Sequence, residues 1–136
     1  MPVVLDASAV LALLKGEDGA ETVERKLTES TPNDDRYTAL LSTVNLVEIR
    51  QYVSEQTAAP LEAEDSPIAI VPFTIDQAHV AASLREPTRA LGLSLADRAC
   101  LALGLETDLT VVTAERDWLN LGLRITVEHI RPWTLN

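Results

Sequence analysis

Val3-Val4-Leu5-Asp6-Ala7-Ser8-Ala9-Val10-Leu11-Ala12-Leu13-Leu14, "VVLDASAVLALL", decides how the rest of the chain is read. Val3–Leu5 has the character of a short buried strand. Ser8 to Lys15 reads as the helix after it, broken by Gly16-Glu17-Asp18-Gly19. Asp6 stands between the two. An ionised carboxylate buried without a partner costs several kcal/mol, so this one needs solvent, a partner or a ligand. As an N-cap it accepts from orphan helix N–H groups. As a functional acid it needs company elsewhere in the chain.

The composition sets the frame. The 136 residues are 46% apolar, and one domain over 1–136 of that size buries roughly 68–70% of its unfolded surface. Cys100 is the only cysteine, which rules out an internal disulfide and fits a reducing compartment. The N-terminus lacks a basic region, and no run approaches the ~18 apolar residues of a membrane span. A soluble, cytoplasmic protein with no membrane partner is expected. Basic residues number 11 and acidic residues 21, a net charge of −10. Glu17, Asp18, Glu21 and Glu24 contribute solubility from an exposed helix. The balance argues against tight binding of nucleic acid on a basic surface. It leaves room for an enzyme that meets nucleic acid through a metal, and it favours a basic protein partner.

Outward from the opening stretch, strands and helices alternate. A polar helix is predicted over Ala20–Glu29 and a loop over Ser30–Arg36. A strand follows over Thr38–Ser42, then a helix from Thr43 to about Gln56 with Leu46, Ile49 and Val53 at helical spacing. Ala58–Pro67 reads as an irregular, acid-rich linker. Ile68–Phe73 is a strand, Ile75–Leu84 a helix, and Ser94–Leu105 a helix with Ala96, Ala99, Cys100 and Leu103 on one side. Strands are predicted over Leu109–Val112 and Arg124–Ile130. The pattern predicts an α/β fold, a three-layer α/β/α domain with a mostly parallel sheet of four to five strands.

The other acids have ordinary readings when taken singly. Ser94-Leu95-Ala96-Asp97 matches a capping box. Thr113 reads as a cap, with Glu115 and Asp117 as first-turn acids. Glu48 falls on the helix side away from Leu46, Ile49 and Val53, which predicts plain solvent exposure. Together they read differently. In a parallel sheet the strand ends and helix starts share one edge, so Asp6, Glu48, Asp97 and Glu115 can all face one crevice. Like charges about 4 Å apart repel by on the order of 4 kcal/mol at an effective dielectric of 20. A hard divalent ion, Mg²⁺ or Mn²⁺, resolves this and activates water against a phosphodiester.

Four stretches carry a family resemblance: "VVLDASAVLALL", "STVNLVEI" (Ser42 to Ile49), "GLSLADRACLAL" (Gly92 to Leu103) and "LTVVTAERDW" (Leu109 to Trp118). In order and spacing they resemble the signature blocks of PIN domains, most closely the VapC-type toxins of type II toxin–antitoxin pairs. The resemblance implies a Mg²⁺- or Mn²⁺-dependent endoribonuclease, commonly a homodimer, neutralised by a cognate VapB-like antitoxin in a hetero-oligomer. On that pattern Asp6, Glu48 and Asp97 match the acids that hold the metal. The family's fourth acid is commonly an Asp in a "TAD" stretch. Here the stretch is Thr113-Ala114-Glu115 with Asp117 nearby, so both acids are candidates. Ser8 and Thr113 match hydroxyl positions beside the site, and Asn45 a polar one. Arg98 and Arg116 adjoin acids and are candidates for substrate phosphates, against the plainer reading of surface salt bridges.

Other chemistries find little in the chain. A metal-dependent binding module without turnover is the main alternative, because Asp6-Ala7-Ser8 begins a D-x-S-x-S pattern that Val10 leaves incomplete. A receiver domain needs a late-strand Lys, and the only lysines are Lys15 and Lys26. His79 and His129 stand too far apart for a zinc motif and read as packing or surface residues. No nucleophile elbow, P-loop or dinucleotide fingerprint is present. Trp118 and Trp133 read as core or interface anchors.

Overall fold

The computed structural model describes residues 1–29 and 36–131. The loop predicted after Glu29 and the anchor role of Trp133 lie outside the described residues. Strands β1 (Val3–Leu5), β2 (Ala39–Ser42), β3 (Ile68–Val71), β4 (Val111–Thr113) and β5 (Val127–His129) form one sheet in the order β3-β2-β1-β4-β5. Every pairing is parallel. Helices α1 (Ala7–Lys15), α2 (Ala20–Thr28), α3 (Thr43–Tyr52), α4 (Glu55–Ala58), α5 (Ile75–Ser83) and α6 (Leu95–Thr107) complete it.

Alternation along the strands separates two apolar layers. Leu5, Leu41 and Val112 pack with Val10, Val23 and Ile49 of α1, α2 and α3. Val4 and Val111 point the other way, to Cys100, Leu101, Leu103 and Trp118. This is the predicted three-layer arrangement. Each fully buried Val or Leu contributes about 1.5–3 kcal/mol. Gly104 lets α6 lie close on the sheet: a Cβ there would meet Val111 Cγ2 at 2.5 Å and Ile125 Cδ1 at 2.7 Å.

Topology positions the crevice. From central β1 the chain winds to β2 and β3 on one side, then crosses to β4 and β5 on the other. The connections leaving β1 and β4 therefore diverge at their carboxyl ends, where open α/β sheets place ligands. Asp6 directly follows β1, and Ala114 and Glu115 follow β4.

Some boundaries differ from expectation. The helix predicted to reach Gln56 stops at Tyr52, because Val53 is extended and Ser54 caps a new short helix by accepting from Thr57 N–H. The supposed linker holds the end of α4 and a 3₁₀ turn over Ala59–Glu62. It is ordered by Leu61, which is buried in the core, and by Arg50, which pairs with Glu55 and Glu62. The fourth and fifth strands are shorter than predicted, since only Val111–Thr113 and Val127–His129 pair in the ladder.

Candidate functional site

Asp6 occupies the N-cap position of α1, but its side chain makes no cap hydrogen bond. It turns instead toward β4. The Ser8 hydroxyl donates to Asp6 Oδ2 at 2.6 Å, and the Thr113 hydroxyl donates to the same oxygen at 3.0 Å. Ser8 Oγ accepts from Ala114 N–H at 2.9 Å, and Thr113 Oγ1 from Glu115 N–H at 3.0 Å. The two hydroxyls thus tie the start of α1 to the end of β4. Asp6 is only 2% exposed. Burial pushes its carboxyl up to about 7; the Ser8 and Thr113 hydrogen bonds offset part of this, and the Asp97 and Glu48 charges add to it.

Facing this node is a second pair of acids, on α3 and α6. Glu48 is half-buried rather than exposed as its helical position predicted. The apolar pattern marks only the face turned to the core, whereas Glu48 is tied through Asn45 to Ala96 of α6. Asn45, fully buried, donates from Nδ2 to Glu48 Oε1 and to the Ala96 carbonyl, each at 3.1 Å. Both partners accept only, which fixes the amide orientation and leaves Asn45 Oδ1 buried without a partner. Desolvation raises Glu48 above the ordinary range, offset by Asn45, and the charges of Asp97 and Glu115 raise it further. Asp97 completes the predicted capping box: its backbone N–H donates to Ser94 Oγ at 3.1 Å, and its Oδ2 accepts from Ser94 N–H at 2.9 Å.

Asp6, Glu48, Asp97 and Glu115 therefore share one electrostatic neighbourhood. Glu115, whose charge acts on Glu48, and Asp117, on the 3₁₀ turn over Arg116–Asn120, are both exposed. Among the described residues Arg98 makes no salt bridge. Its Nη1 donates to the Ala81 carbonyl of α5 at 3.1 Å, and its Nε is buried without a partner. Arg116 is exposed beside Glu115.

The PIN domain family model matches residues 3–122. The chain belongs to the PIN domain family. No curated protein sequence matches it. Solved structures share the fold at low identity. VapBC-1 from nontypeable Haemophilus influenzae has a TM-score of 0.69 at 15% identity, over 96% of this chain and 98% of that one. VapBC2 from Rickettsia felis, bound to a DNA fragment from its promoter, has a TM-score of 0.67 at 19% identity, over 95% and 98%. VapBC-5 from Mycobacterium tuberculosis, a member of the VapBC family of toxin–antitoxin systems, has a TM-score of 0.58 at 22% identity, over 96% and 98%.

PIN domain nucleases generally use divalent metal ions, and the donors of this PIN domain suit one. They are carboxylate oxygens, with the unpartnered amide oxygen of Asn45 nearby. Among the described residues no three His, Cys, Asp or Glu side chains already form a metal cage. The reason is visible in the bonds: Asp6 is turned to its hydroxyls, Glu48 to Asn45 and Asp97 to Ser94. A Mg²⁺-type ion keeps several waters and takes only one or two carboxylates, so a closed cage is not required.

Two residues of this PIN domain have surroundings that sequence reasoning did not reveal. The Cys100 thiol, buried in the core layer with Val4 and Val111, is raised well above its usual range by burial and then by the charges of Asp6, Asp97 and Glu48. Its position one turn after Asp97 was the available signal. His129 bonds to the Ala114 carbonyl through Nε2 at 2.9 Å. Nothing in the alternation of β5 pointed to that contact. Trp118 is a core anchor as expected, at 1% exposure.

Proposed function

We propose that this PIN domain is a VapC-type endoribonuclease toxin, dependent on Mg²⁺ or Mn²⁺ and neutralised in the cytoplasm by a VapB-like antitoxin. The observation that supports the reading is Asp6, buried at the sheet's switch point on the hydroxyls of Ser8 and Thr113, with the charges of Asp97 and Glu48 acting on it. The structural neighbours titled VapBC support the toxin and antitoxin parts of the reading, and a homodimer is proposed with them.

In this reading Asp6 and Asp97 hold the metal, and Glu48 either joins them or orients the attacking water. A bound divalent ion supplies an acidified water and positive charge for the scissile phosphodiester. Glu115 is taken as the fourth acid, supported by its charge acting on Glu48, with Asp117 on the same 3₁₀ turn as the alternative. Ser8 and Thr113 fix the rotamer of Asp6, and Asn45 holds Glu48 against α6. Arg98 clamps α6 to α5, and Arg116, next to Glu115 in the chain, stays a candidate for substrate phosphate.

The test is cleavage of RNA by purified protein with Mg²⁺, Mn²⁺ or EDTA, alongside Asp97→Asn. Cleavage that needs either ion and falls at least 100-fold in Asp97→Asn, with an unchanged circular dichroism spectrum, is expected. Unaltered cleavage in that variant overturns the site assignment. A cation-dependent complex with a partner and no turnover of RNA replaces the nuclease with a binding module.

A further inference from the structure

His129 is the last residue of β5, at the edge of the sheet and two strands away from Asp6. Its Nε2 lies 2.9 Å from the Ala114 carbonyl oxygen. Its Nδ1 lies 3.1 Å from Arg131 N and 2.9 Å from Arg131 O. A carbonyl can only accept, so Nε2 carries hydrogen whichever backbone group of Arg131 faces Nδ1. Arg131 is anchored in turn, with Nε donating to the Asp18 carbonyl at 3.0 Å.

Ala114 is thereby gripped on both sides. Its N–H donates to Ser8 Oγ, and its C=O accepts from His129. The residue before it, Thr113, donates to Asp6, and the residue after it is Glu115. The strand does not need the imidazole to stay in place. β5 is already held by its ladder with β4 and by the bond from Ile130 N–H to the Thr113 carbonyl at 3.0 Å. The ring's distinct contribution is to fix the Ala114 peptide groups.

We propose that His129 is a positioning residue for the acidic crevice. It holds Ala114 so that the Ser8 hydroxyl stays on Asp6 and the Glu115 carboxylate stays beside Glu48. Its effect on catalysis rests on the nuclease reading; its effect on the backbone does not. The chemistry required is a single N–H donor at the position of Nε2. Glutamine can supply one, and alanine cannot.

The experiment compares His129→Ala and His129→Gln in the full chain. Amide hydrogen exchange is followed by NMR on metal-free protein, and RNA cleavage is followed in Mn²⁺. In His129→Ala, exchange at Ala114 quickens at least tenfold while β1 and α6 amides keep their protection. The turnover number falls about tenfold, and KM for RNA stays within twofold. His129→Gln returns both readouts to within threefold of wild type. Wild-type exchange at Ala114 in His129→Ala, or protection lost throughout β1 and β4 in both variants, overturns the proposal. If the wild-type protein cleaves no RNA, the nuclease reading fails on its own, and the exchange data still decide whether His129 holds Ala114.

Discussion

The crevice has a deep side and an outer side, and the two handle the same charge differently. At the ends of β1 and β4, Asp6 is buried and meets two neutral hydroxyls. Across from it, Glu48 and Asp97 sit in helices with solvent access, each bonded to a donor three residues away in sequence. Local donors suffice for the outer acids. Hydroxyls do not suffice for Asp6, whose desolvation outweighs them and whose nearest charges are also negative. An acid held in that state weakens the metal-free fold, and a divalent cation relieves it.

The contrast breaks hardest at Asp6. Asp6→Asn keeps an acceptor for the hydroxyls and removes the buried charge. In EDTA at pH 8 it is expected to raise unfolding free energy by on the order of 3 kcal/mol, read by urea denaturation. A destabilised Asp6→Asn would mean that the carboxylate acts as a simple structural anchor.

The same carboxylate sets a pH dependence. Its folded value, about 7, lies above the ordinary carboxylate value of 3.8. Between those values the folded state binds the extra proton, so its contribution to stability is full below about pH 4 and is lost as pH rises through about 7. The raised value of Glu48 acts in the same direction. In EDTA, wild type minus Asp6→Asn therefore falls with rising pH by up to roughly 1.4 kcal/mol per unit. Added Mn²⁺ reverses the trend, because the ion needs the deprotonated acids. A difference that stays flat from pH 4.5 to 8 would refute the burial argument.

The outer side responds more weakly. Asp97→Ala removes one half of the capping box and is expected to cost about 1 kcal/mol in metal-free protein, while Asp97→Asn costs less because it retains an acceptor for Ser94 N–H. Chemical denaturation of both variants checks this. The smallest effect belongs to Asp117, whose change to Asn leaves RNA cleavage within twofold of wild type, whereas Glu115→Gln lowers it at least tenfold. Equal losses would return Asp117 to the site.

How far the sequence reached follows from what each feature depends on. The strand–Asp–helix handover, the capping box at Ser94 and the alternating apolar layers are local patterns, and all are present. The burial of Glu48 is tertiary: α6 covers a helix face that carries no apolar stripe. In sequence Asp6 reads equally as a cap or a functional acid; its backbone is a cap, yet its side chain answers to Ser8 and to Thr113, 107 residues away. Leu61 and His129 are positioned by contacts between segments distant in the chain, and no spacing rule registers those. Glu115 and Asp117 stand two residues apart and both are exposed, so spacing does not separate them, and the paired substitutions above decide between them.

The most direct measurement is a crystal structure of the protein soaked with Mn²⁺, with data collected for anomalous scattering. The account predicts one manganese peak contacted by carboxylate oxygens of Asp6 and Asp97, with Glu48 turned toward it directly or through a water. A map with no peak in the crevice at saturating Mn²⁺, and with Asp6, Glu48 and Asp97 still on their hydroxyl, amide and backbone donors, would contradict it.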